Sequence, residues 1–154
     1  MGLLARWQER SHSPRVRLGR DLRAAYLDAR RLAAQLRRHG GHVPYPALGP
    51  TLTRLAEEAD AQAALLAGEI RALAGNTDPS DPVAPRDGRN HWERLTFDIA
   101  DLETLRRRYA ELALHFDVEF PATVAAVDRL ARTTATMTVT VRGLLARSDP
   151  HAAN

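Results

Sequence analysis

Hydrophobic residues recur every three or four positions over four long stretches of the chain, and this spacing predicts four amphipathic helices. Turn signals separate them, with HGG at 39–41 after the first, Gly75 after the second and Pro121 in the first turn of the fourth. In chain order, the four stripes are Leu18, Leu22, Ala25, Ala29, Leu32 and Leu36; Leu48, Leu52, Leu55, Ala59, Gln62, Leu66, Ile70 and Leu73; Leu95, Ile99, Leu102, Tyr109, Ala113 and Phe116; and Val124, Val127, Leu130, Thr134, Met137, Val141 and Leu144.

The segments between the stripes predict how the helices connect. Residues 76–90 are rich in Pro, Asp and Gly and show no periodicity. Neighbouring antiparallel helices usually need only about 2–8 connecting residues, whereas this loop can run the length of a bundle. We therefore expect an all-α fold in which two antiparallel hairpins are joined by a long crossover between helices 2 and 3. A short N-terminal helix over residues 1–14 precedes the bundle (15–148), and a flexible tail follows (149–154).

One stretch inside the fourth predicted helix has the composition of a β-strand. ARTTATMTVTV, residues 131–141, holds five threonines and two valines. Thr134, Met137 and Val141 nevertheless continue the helical spacing set by Val127 and Leu130, and the chain offers no partner strand. The prediction for this stretch is helix.

The amino-acid composition excludes some kinds of functional site. Among the 154 residues there is no cysteine, which excludes disulfides and thiolate ligands, and no apolar run approaches the roughly 20 residues that span a bilayer. We expect a cytoplasmic protein with no membrane partner. All 22 basic residues are arginine, and ten of them fall in residues 1–39. That basic third could contact nucleic acid, but it lacks interleaved aromatic residues and any recognised motif.

The two predicted hairpins resemble each other in sequence. Residues 21–39 align with 98–116, matching Asp21 with Asp98 and one Arg-Arg pair with another. Residues 45–68 align with 120–143, and an aromatic-Pro-Ala sequence opens helices 2 and 4 alike. These matches indicate an internal repeat of one hairpin.

The segment YPALGPTLTRLAEEADAQAALLAGEIRALAG (45–75) resembles the second helix of the ferritin-like superfamily, which includes rubrerythrins and bacterioferritins. The resemblance covers residues 18–148 and implies a ferritin-like antiparallel four-helix bundle. It also implies where metal would be held. In active members, helices 1 and 3 each supply one Glu, and helices 2 and 4 each supply a Glu-x-x-His pair that binds iron or manganese.

Carrying this motif onto the chain places no metal ligand at any expected position. The six positions read Ala25, Ala59, Gln62, Leu102, Thr134 and Met137. A shift of one residue would bring in Glu58 but would leave Ala61 where the His belongs. Because buried carboxylates without metal are costly, a lineage that loses the metal should refill the site with apolar or small side chains. We therefore predict a non-catalytic bundle without cofactor, in a structural or interaction role, forming a homo-oligomer such as a dimer.

Gln62 is the polar exception on these stripes. We expect its buried amide to bond the hydroxyl of Tyr109 or Thr134, forming a core polar cluster, while a contact to a small ligand is the alternative.

Two alternative functions remain open. One is an oxidase or peroxide-handling protein whose iron or manganese is held by relocated ligands, drawn from Glu58, Glu103, Glu111, His115 and Glu119. The other is a DNA-binding ferritin relative that uses the basic N-terminal third.

Several further polar residues are predicted to lie on the surface. Arg106–Arg108 should be solvated and paired with Asp101, Glu103 or Glu111, as on an ordinary charged helix face. His39, His42 and His151 lie near turns or in the tail. Trp7 and Trp92 are expected to pack the N-terminal helix against the bundle.

Overall fold

The computed structural model describes residues 13–77 and 84–148, and this part of the chain is all-helical, with no strand. It contains four long helices: α1 (Pro14–Gly40), α2 (Gly49–Ala72), α3 (His91–Phe116) and α4 (Pro121–Ala146). A short 3-10 turn, Pro46–Leu48, leads into α2. The expectations for residues 1–12, including Trp7, and for 149–154, including His151, lie outside the described residues. No described helix has the length and apolarity needed to cross a membrane.

Local sequence sets the helix ends. The Ser13 hydroxyl caps α1 by accepting the backbone N–H of Val16 at 3.2 Å, and the side chain of Asn90 caps α3 in the same way at 2.8 Å. At the other end of α1, Gly40 allows a close approach between helices. A Cβ atom there would lie 3.3 Å from Leu52 Cβ, so a larger residue would push α1 and α2 apart.

Side-chain contacts define the helix directions. Arg15 near the start of α1 donates to the carbonyl of Ala72 at the end of α2, so these helices are antiparallel. Asp28 pairs with Arg108 and Gln35 bonds Asp98, which makes α1 and α3 antiparallel too. Since both α2 and α3 oppose α1, they point the same way.

The described ends of the connection between α2 and α3 both lie against α1, at separate positions. Arg23 donates to the carbonyl of Asn76, whereas the backbone N–H of Arg86 donates to Gln35 twelve positions further along α1.

One hydrophobic core draws on all four helices. The α1 stripe is buried throughout, as predicted. The α3 stripe differs from the prediction. Ile99 and Ala113 are only half-buried, and Leu105 and Leu112 lie in the core instead. The physical reason is that α3 packs against both α1 and α4, and the buried face follows an alternating spacing of three and four: Leu95, Asp98, Leu102, Leu105, Tyr109, Leu112 and Phe116.

Residues 131–141 are helical, which confirms the prediction from periodicity over the one from composition. Thr134, Met137 and Val141 face the core. Threonine hydroxyls in this stretch donate to the carbonyl four residues earlier, as Thr138 does to Thr134 at 2.9 Å. Because each hydroxyl finds its acceptor within the helix, even a buried threonine leaves no unsatisfied polar group here.

Candidate functional site

The six positions where the resemblance would place metal ligands all lie in the protein interior. None is more than 2% exposed. Three of them carry only aliphatic side chains, so they offer no donor atom to a cation. The remaining three are Gln62 on α2 and Thr134 and Met137 on α4.

A hydrogen-bonded group forms around Gln62, and we call Gln62, Tyr109, Thr134 and Met137 the interior polar cluster. The Tyr109 hydroxyl donates to Gln62 Oε1 at 2.9 Å, and the Gln62 amide nitrogen donates to the Met137 sulfur at 3.2 Å. The Thr134 hydroxyl lies 3.1 Å from Gln62 Oε1 and 2.8 Å from the carbonyl of Leu130, and its hydrogen can go to either. The structure thus brings Gln62 together with both hydroxyls considered from the sequence.

The chemistry of this cluster does not fit a dinuclear iron or manganese centre. Such ions favour carboxylates and imidazoles, and here the only strong acceptor, Gln62 Oε1, already receives hydrogen bonds from the protein. Burial raises the pKa of Tyr109 far above its ordinary value, so the phenol stays neutral and acts as a hydrogen-bond donor. The cluster is a set of neutral groups that satisfy one another.

The residues considered as relocated ligands are spread over the outside of the molecule. Glu58 pairs with Arg54 on α2, and Glu103 pairs with Arg142. Glu111 and His115 line one small surface pocket of about 120 Å³ with Asp21 and Arg108, and Glu119 is exposed beyond the end of α3. Within residues 13–77 and 84–148, no three carboxylate or histidine side chains are grouped so as to hold a metal ion.

A second group of buried polar residues lies where α1 meets α3 and the end of the connecting segment. We call Gln35, His39, Arg86, Asp98 and Asp101 the α1–α3 polar cluster. Gln35, His39 and Asp98 are fully buried. The Gln35 amide nitrogen donates to Asp98 at 2.9 Å and to Asp101 at 3.0 Å, and its oxygen accepts the backbone N–H of Arg86 at 2.8 Å.

His39 is held from both sides of its ring. Nδ1 lies 2.9 Å from an Asp98 carboxylate oxygen, and Nε2 lies 3.1 Å from the carbonyl of Arg86. Both nitrogens therefore lie within hydrogen-bond distance of an oxygen atom. The surface location predicted for His39 is wrong, because the connecting segment folds over this end of α1 and covers it. His42, by contrast, is exposed as predicted.

Arg86 lies on the solvent side of the cluster. Its guanidinium donates through two nitrogens to the two oxygens of Asp101, with an Nε–Oδ2 distance of 3.2 Å. The same group lies over the Phe97 ring, 4.9 Å from the centroid. Arg31 reaches Asp101 from α1 at 3.3 Å. Arg31 and Arg86 thus balance the negative charge of Asp101.

This geometry serves to hold the connection in place. Asp98 is buried away from substrate-sized molecules, and its oxygens are taken by Gln35 and His39. The sequence carries a signal for this cluster. Gln35 and His39 fall on the buried side of α1, and Asp98 continues the spacing of Leu95 and Leu102, so each is a polar residue at a core position.

Arginines outside these clusters differ in their pairing. Arg108 pairs with Asp28 across the helix interface, not with the acidic residues of its own helix as predicted. In the described part of the basic N-terminal third, Arg20, Arg37 and Arg38 each pair with a carboxylate.

Comparisons of this chain with known protein families, with characterised proteins and with solved structures found no match.

Proposed function

We propose that this protein is a ferritin-like four-helix bundle that has lost its dinuclear metal centre and acts without redox catalysis, in a structural or interaction role. The observation that carries the proposal is the interior polar cluster. Three of its members, Gln62, Thr134 and Met137, lie at positions where the resemblance would place metal ligands, and Gln62 bonds the other two and Tyr109 instead.

The arrangement of the helices supports the same proposal. α2 and α3 run in the same direction, and the two ends of their connection contact α1 at separate positions. A ferritin-like bundle has this order of directions, with a crossover that runs the length of the molecule.

The energetics of the interior also favour loss of the metal over a temporarily empty site. An empty site of four carboxylates and two imidazoles would bury several uncompensated charges. Aliphatic groups and a satisfied amide remove that cost, and they leave no donor set for a hard cation.

Metal analysis tests the proposal. Protein expressed in medium supplemented with iron and manganese is analysed by plasma mass spectrometry, beside a di-iron protein purified in parallel. We expect far less than one metal ion per chain. Two iron or manganese ions per chain would refute the proposal. If they were lost on substituting Glu111 and His115 by alanine, the relocated-ligand alternative would take its place.

The predicted dimer is tested separately by light scattering on the same preparations. A monomer at all concentrations would remove the homo-oligomer from the proposal without affecting the metal result.

A further inference from the structure

A groove runs between the outward faces of α3 and α4, with a volume of about 790 Å³. Three alanines line it, Ala110 from α3 and Ala131 and Ala135 from α4, and we call these three its floor. We call it the α3–α4 groove. Alanine side chains let another helix approach closely, since packed helix axes lie about 8–10 Å apart and the spacing depends on the side chains between them.

Exposed apolar residues extend this floor along both helices. Leu114 lies one turn after Ala110 and is 76% exposed, and Val139 lies one turn after Ala135 and is 69% exposed. Val118, two residues beyond the end of α3, is 83% exposed. These three are the most exposed large hydrophobic side chains in the described part of the chain, and all belong to the α3–α4 hairpin. Exposed apolar side chains that are flanked by polar residues mark interaction sites on protein surfaces.

Three arginines on the groove carry positive charge that no carboxylate in the described part of the chain neutralises. Arg106, Arg107 and Arg132 line it, and none of them forms an ion pair with another described residue. The one acidic residue on the groove, Glu103, is already held by Arg142. Elsewhere, comparable arginines do find carboxylates, as Arg108 does with Asp28.

We propose that the α3–α4 groove docks an amphipathic helix of an acidic partner protein. The apolar face of that helix would cover the alanine floor with Leu114 and Val139, and its flanking carboxylates would pair with Arg106, Arg107 and Arg132. This is the helix-in-groove mode of recognition, in which apolar anchors supply contact area and charges set the choice of partner. The inference rests on the proposed interaction role and names its partner by chemistry.

Charge favours this occupant over a second copy of the chain. A two-fold contact presents the same patch on both sides, so arginines of one groove would face arginines of the other. Nucleic acid would meet the arginines, but its phosphates gain nothing from a floor of alanine, leucine and valine. An acidic amphipathic helix matches both features.

The test uses a displayed library of helical peptides with leucine at the positions of one face and Glu, Gln or Lys at the flanking positions. The library is selected on the full-length protein, and enriched peptides are synthesised and measured by fluorescence anisotropy. Two charge-reversal variants are compared, Arg107→Glu/Arg132→Glu in the groove and Arg17→Glu/Arg30→Glu on α1. Both change four units of charge at exposed positions, so they differ only in location.

We expect selection to enrich glutamate at the flanks, and the groove variant to weaken binding at least tenfold while the α1 variant leaves it nearly unchanged. Lysine-flanked versions of the same peptides should bind the groove variant better than the wild type. Leu114→Glu/Val139→Glu should abolish binding with no loss of helical circular dichroism.

Three results would overturn the proposal: no enrichment of acidic peptides, equal binding by the two charge-reversal variants, or a homodimer that Leu114→Glu/Val139→Glu dissociates. Binding of duplex DNA that only the groove variant loses would assign the surface to nucleic acid instead. Each outcome is separate from the metal analysis, so failure here would leave the proposed loss of metal standing.

Discussion

Asp98→Ala tests the α1–α3 polar cluster most directly. The Asp98 carboxylate is fully buried and accepts hydrogen bonds from the Gln35 amide at 2.9 Å and from the His39 ring at 2.9 Å. Removing it leaves Nδ1 of the ring without its partner, and the amide nitrogen retains only Asp101.

The expected cost follows from that burial. Leaving a buried polar group without its hydrogen-bond partner typically costs about 1–3 kcal/mol, because that group stays desolvated without compensation. For a chain of 154 residues, this corresponds to a fall of roughly 2–12 °C in melting temperature. It is also a large fraction of the roughly 5–15 kcal/mol by which domains of this kind are stable.

Urea denaturation followed by circular dichroism measures the loss, and Glu103→Ala is the matched control. Glu103 pairs with Arg142 on the exposed surface, where an ion pair is worth at most about 1 kcal/mol. A double-mutant cycle with His39→Ala should give a coupling free energy of roughly 1–3 kcal/mol. If Asp98→Ala and Glu103→Ala shift the midpoint equally, the reasoning from burial is wrong.

Two further predictions concern stability. Thr133→Ala and Thr136→Ala should each stabilise the protein by roughly half a kcal/mol in the same urea assay, because both threonines are exposed on a helix and alanine has the higher helix propensity. Thr134→Ala, at a buried position, should be destabilising. If both surface variants were destabilising, the argument from helix propensity would be wrong. Burial, aided by the charge of Arg94, holds the pKa of His91 below its ordinary value of 6.5, so the unfolded chain takes up the proton first as pH falls and this contribution to stability is lost below about pH 6.5. The advantage of the wild type over His91→Gln in free energy of unfolding should therefore shrink between about pH 7.5 and about pH 5.5, and a constant difference would exclude the mechanism.

The interior polar cluster was accessible from the sequence because helical periodicity is a local property. Gln62 falls on an apolar stripe, and only a few hydroxyls lie on the stripes of other helices, so its contacts to Tyr109 and Thr134 could be anticipated from helix order alone. Whether these positions descend from a metal site remains the proposal given above.

The α1–α3 polar cluster depends on contacts between distant segments. His39 directly precedes Gly40 and Gly41, a sequence context typical of the surface. It is buried only because the segment around Arg86 covers it. The buried face of α3 depends on distant segments as well. Asp98, rather than the predicted Ile99, lies in the core, and its carboxylate is accommodated there because Gln35 and His39 on α1 bond it.

By itself, then, the sequence determined the four helices, most of their buried faces and the helical state of ARTTATMTVTV, since these follow from spacing over a few turns. Only the tertiary structure decided which charges are buried and which are left exposed. Asp98 is buried among hydrogen-bond partners on α1, whereas Arg106, Arg107 and Arg132 pair with no carboxylate within the described chain, and both outcomes depend on which helix packs beside which.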